Sequence, residues 1–133
     1  MLRPIRALLV LATVFLPACA TVGGIQSAPL TAGVSRTFEK DFDATVKAAR
    51  ESVVEAGLQI ESVNEVDANT FFIIGKKGTS AFSWGELVRV AVVREAESRT
   101  RVSVHTQRRV ATNVTARGDY SEPILSNMAL KLR

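Results

Sequence analysis

The stretch Asp41-Phe42-Asp43-Ala44-Thr45-Val46-Lys47-Ala48-Ala49-Arg50-Glu51-Ser52-Val53-Val54-Glu55-Ala56-Gly57 decides the fold class. Phe42, Val46, Ala49, Val53 and Ala56 recur at helical spacing and make one apolar stripe. Lys40, Asp43, Lys47, Arg50, Glu51 and Glu55 fall mostly off it. Asp41 is the expected N-cap, because its carboxylate can accept from the free amides of the first turn. Gly57 is the expected stop, where the chain must take a positive φ. A single amphipathic helix needs a surface on which to bury its stripe, and the flanking sequence supplies strands.

After the helix, Leu58 and Ile60 alternate with Gln59 and Glu61, which predicts a half-buried strand. A turn at Asp67-Ala68-Asn69 leads into Thr70-Phe71-Phe72-Ile73-Ile74, an aromatic and β-branched run. Residues 87–94 predict a third strand with Val88, Val90 and Val92 on one face, and Ala96-Glu97-Ser98 the next turn. Residues 100–110 predict a fourth, with Val102, Val104 and Thr106 on one face and Arg101, Ser103, His105, Gln107 and Arg109 on the other. Short turns favour an antiparallel meander. Ahead of the helix, residues 36–39 read as a short opening strand with Phe38 inward. At the end, Ser121 as cap, Pro123 in the first turn, and Ile124, Leu125, Met128 and Leu132 on one side predict a closing helix. The expected class is α+β: an antiparallel sheet of four to five strands, order β-α-β-β-β-β-α, with two helices on one face and the other face open to solvent.

The N-terminus carries a different signal. Arg3 and Arg6 precede an apolar run at residues 7–16, and Leu16-Pro17-Ala18-Cys19 closes it. Positive n-region, apolar h-region and a small residue before the cut make a secretory signal peptide over residues 1–18. The run is too short for the roughly 18–20 residues of a spanning helix. Cys19 is the only cysteine, so an internal disulfide is excluded. An ordinary buried cysteine behind a plain secretory signal is the competing reading. Residues 20–35 hold no charged side chain and are rich in Gly, Ser, Thr and Ala. They read, with Cys19, as a flexible tether with a reach of about 20–25 Å, followed by one domain over residues 36–133.

Leu16-Pro17-Ala18-Cys19 resembles the lipobox of bacterial lipoproteins. That resemblance implies cleavage before Cys19, a diacylglycerol thioether and an acylated (palmitate-type) N-terminus. Ala20 in place of Asp after the cysteine implies the outer membrane, facing the periplasm. The remainder is similar to a family of small bacterial lipoproteins defined by a domain without an assigned function. The likeness rests on the lipobox, Thr37-Phe38-Glu39, Asp41-Phe42-Asp43-Ala44-Thr45-Val46, Glu55-Ala56-Gly57-Leu58 and Gly118-Asp119-Tyr120-Ser121. The element order also resembles the helix-on-sheet domains of lipoprotein component C of the outer-membrane β-barrel assembly machine, a fold-level likeness that carries no function by itself.

Lys and Arg number 17 against 13 Asp and Glu, and Arg3 and Arg6 leave with the leader. The mature chain is therefore near balance, which argues against a nucleic-acid partner. His105 is the only histidine, and its sequence neighbours supply no triad, so a hydrolase centred on it is the remote alternative. One histidine and scattered carboxylates give no familiar metal-ligand spacing, and no cofactor motif is present. Gly75-Lys76-Lys77-Gly78-Thr79-Ser80 lacks the order of a phosphate loop. The expected role is that of a non-enzymatic envelope lipoprotein, held to the membrane by acyl chains and contacting an envelope protein or an anionic ligand. The candidate contact residues are Arg89, Arg101, His105 and Arg109 on the polar sheet face, with Phe82 and Trp84 as aromatic anchors. A small-ligand or lipid-binding cleft between sheet and helices is the nearer alternative.

Overall fold

The computed structural model describes residues 20–78, 85–108 and 118–133. The elements run α1 (Val22–Ser27), β1 (Val34–Phe38), α2 (Phe42–Glu55), β2 (Gln59–Asp67), β3 (Thr70–Lys77), β4 (Glu86–Ala96), β5 (Arg99–Arg108) and α3 (Ser121–Lys131). The five strands form one antiparallel sheet in the order β1-β5-β4-β3-β2. The meander β2 to β5 is the one the short turns demand. β1 closes the far edge against β5, so the chain crosses the sheet through α2 to begin β2 at the opposite edge.

Helix α2 forms as its pattern dictates. Asp41 Oδ1 accepts from the Ala44 amide at 2.9 Å, and Gly57 leaves the helix at φ +80°. Its inner side is Phe42, Thr45, Ala48, Ala49, Ser52 and Val53, all buried. The small residues let the helix come close to the sheet. A Cβ on Gly75 would stand 3.1 Å from Val53 Cγ1 and 3.2 Å from Leu58 Cδ1. Ile124, Leu125 and Met128 of α3 and Val88, Val90, Val92, Val102 and Val104 of the sheet complete the core, each fully buried. Burying a side chain of this size contributes about 1.5–3 kcal/mol.

Five expectations are corrected by the structure. The opening strand starts at Val34, two residues earlier than the pattern suggested. Ser121 is the first residue of α3, not its cap. Its amide donates to Asp119 Oδ1 at 3.0 Å, so Asp119 supplies the oxygen at that end. Ile60 is 39% exposed, because β2 is an edge strand whose register slips at two places. Residues 20–33 are not a free tether: they include α1, and Ile25 is completely buried. The second face of the sheet is accordingly not left wholly to solvent, since α1 packs on it with Ala20, Ile25, Ile74 and Leu87 as a second, smaller apolar cluster.

Candidate functional site

Alternation along β4 and β5 puts Leu87, Arg89 and Ala91 on the face opposite α2, in line with Gln107, His105 and Ser103. Arg89 is 0% exposed. Nη1 donates to the carbonyl oxygens of Ile25 at 3.1 Å, Gln26 at 3.3 Å and Ala28 at 2.5 Å. Nη2 donates to that of Pro29 at 2.7 Å. The Ile25 and Gln26 carbonyls are among those the end of α1 leaves without helical partners, where the helix dipole is negative; Ala28 is the C-cap, and the Pro29 carbonyl also accepts from the Ala32 amide at 2.9 Å. The guanidinium also lies over the Phe72 ring, with Cζ 5.1 Å from its centroid. Among the described residues the ion pairs join other side chains, so backbone oxygens compensate this buried cation. Burial pushes its pKa below the ordinary arginine range. The sheet-face contact role expected of Arg89 is therefore corrected: its guanidinium is spent on holding α1.

His105 lies half-buried, directly across the β4–β5 ladder from Arg89. Burial first, and the Arg89 charge second, push its pKa below 6.5. The imidazole is thus neutral near neutral pH. Its cross-strand neighbour is a cation and not the carboxylate that would orient a general base. Arg101, farther along β5, donates through Nε to Glu95 Oε1 at 2.9 Å, and remains partly exposed. Ser35 and Ser103 share a 2.7 Å hydrogen bond between hydroxyls where β1 joins β5. On β5 and β1 this face carries Arg101, His105, Gln107 and Thr37. Arg109, Phe82, Trp84 and Cys19 lie outside the described residues.

Two features that position this face escaped the sequence pattern. Gly33, at φ +86°, turns the chain out of the α1 segment into β1. A Cβ there would stand 1.9 Å from the Val104 carbonyl oxygen, so the approach of this turn to β5 requires glycine. The start of α1 is capped by Thr21, whose Oγ1 accepts from the Gly24 amide at 3.0 Å. Thr21 was the one available signal, masked by Gly23-Gly24 and by a single inward apolar residue, Ile25.

On the other side of the molecule, the space between sheet and helices is filled by side chains such as Val53, Val90 and Met128. A shallow groove lies outside it, between α2 and the edge of β2, lined by Arg50, Glu51, Val54, Glu55 and Ile60. At the start of α3, the Tyr120 hydroxyl bonds to the Glu86 carboxylate. Burial and that bond raise the Tyr120 pKa to about 12. Among the described residues no three His, Cys, Asp or Glu side chains gather as a metal cluster, and no helix is long and apolar enough to cross a membrane. No family model and no curated protein matches the chain.

Proposed function

We propose that the chain is a lipid-anchored envelope protein with a non-enzymatic, interaction role, acylated on Cys19 and exposed to the periplasm at the outer membrane. The observation that carries this reading is the position of the sole cysteine, directly behind Leu16-Pro17-Ala18 and one residue ahead of a folded domain. Acyl chains contribute about 0.8 kcal/mol per buried methylene, so more than one chain makes a lasting anchor. Arg101, partly exposed on this face although paired with Glu95, is a cation that an anionic surface could meet. Among the described residues, Val53, Val90 and Met128 are buried between sheet and helices, which favours surface recognition over an enclosed ligand site there. The cation across from His105 weighs against a hydrolase there.

Metabolic labelling with a fatty-acid analogue tests the anchor. The wild-type chain is expected to take the label and to fractionate with membranes, and Cys19→Ser to lose both. Label retained by Cys19→Ser would refute the reading.

A further inference from the structure

The residue peptide-bonded to Cys19 is already part of the fold. Ala20 is 8% exposed and belongs to the cluster of Ile25, Ile74 and Leu87, with Val22 packed against it. The next residues form α1, and Arg89 fastens the end of that helix through four carbonyls. A free tether of sixteen residues would let the domain tumble about 20–25 Å from its anchor. Here that length is taken up on the sheet, and adjacent Cα atoms stand only about 3.8 Å apart. Any acyl chains on Cys19 therefore leave the molecule at the α1 face.

The α1 segment itself is uncharged, and Lys76, paired with Glu61, lies on the same sheet face beside Leu87. Residues 20–35 carry no charged side chain, so bringing them against the headgroups strips no ion of water and meets no like-charge repulsion. Gly23, Gly24, Ser27 and Pro29 are the exposed positions on and just after α1. The charged residues Lys47, Glu51 and Glu55 lie exposed on α2, on the opposite side of the sheet.

We infer that the domain sits flush on the membrane with the α1 face turned to the lipid, α2 and α3 facing away, and the bilayer itself as the occupant of that face. The inference rests on the lipid-anchor reading and adds an orientation to it. Arg101, partly exposed on the same sheet face and paired with Glu95, then looks toward the headgroups.

The test uses the full chain, exported and processed, in vesicles of phosphatidylethanolamine and phosphatidylglycerol. A fluorophore is placed at Ser27→Cys on α1, or at Ser126→Cys on the exposed side of α3, and quenched by a headgroup nitroxide lipid. Quenching several-fold stronger at position 27 than at 126 is expected. Inserting a twelve-residue Gly/Ser linker between Cys19 and Ala20 is expected to shrink that difference. Mass measurement of the N-terminal peptide reports acylation separately. An unacylated peptide overturns the anchor and the orientation together. An acylated protein quenched equally at both positions, or more at 126, overturns the orientation alone.

Discussion

Arg89 Nη2 meets the carbonyl oxygen of Pro29 at 2.7 Å, across sixty positions of sequence. This bond and its three companions on Nη1 turn a Gly-rich, uncharged segment into a docked helix. A hydrogen bond to a charged group contributes about 1.5–3 kcal/mol. The cation is worth burying because several acceptors converge on it.

Arg89→Met keeps the apolar stem and removes every donor. It is expected to release α1, with hydrogen exchange and protease cleavage rising at residues 21–30 while the strands stay protected. The global cost is expected to be on the order of 3 kcal/mol. Unchanged protection of residues 21–30 would show that Ile25 alone docks the helix.

The pH dependence follows from His105. Its folded pKa lies below its unfolded value, so the unfolded chain binds the proton first as pH falls. Stability is expected to decline from about pH 6.5 downward through the folded pKa, and to be unaffected by this group above that window. His105→Gln should flatten that slope in urea titrations taken at successive pH values. A slope as steep in the variant would assign the effect to carboxylates.

Gly33→Ala places a methyl group on the Val104 carbonyl and a side chain in the left-handed region. Such backbone strain alone costs about 1–3 kcal/mol. The melting temperature is expected to fall, and exchange to rise first in β1 and its partner residues 100–104. A melting temperature equal to the wild type would mean that the turn relaxes freely.

Phe42, at the start of α2, is 8% exposed and lies under Arg94, whose Cζ is 4.8 Å from the ring centroid. Phe42→Ala is expected to cost about 3–5 kcal/mol in denaturant unfolding. A loss below about 1 kcal/mol would place the apolar stripe outside the core.

Periodicity was legible where apolar residues recur at a fixed spacing, even in β4, whose residues 86–92 are buried on both faces. α2 and its cap, the valine-rich faces of β4 and β5, and the inward side of α3 all followed from spacing. β2 was partly legible: Leu58 is buried as its pattern implied, but Ile60 is exposed, because alternation cannot tell an edge strand from an inner one. The candidate face was less legible. Arg101 and His105 do share a side of β5, as alternation requires, whereas Arg89 reads as a surface cation in sequence and is fully buried on that face.

The sequence by itself determined the types of the strands and of α2 and α3, the α+β class and a single cysteine behind a lipobox-like run, because helical and strand periods and a leader's composition are local properties. Only the tertiary structure decided that β1 pairs with β5, that Arg89 is buried, and that residues 20–33 are folded against the sheet. Those outcomes depend on partners far away in the chain: carbonyl oxygens converging on one guanidinium, and a glycine turn lying on the Val104 carbonyl. No short-range pattern encodes them.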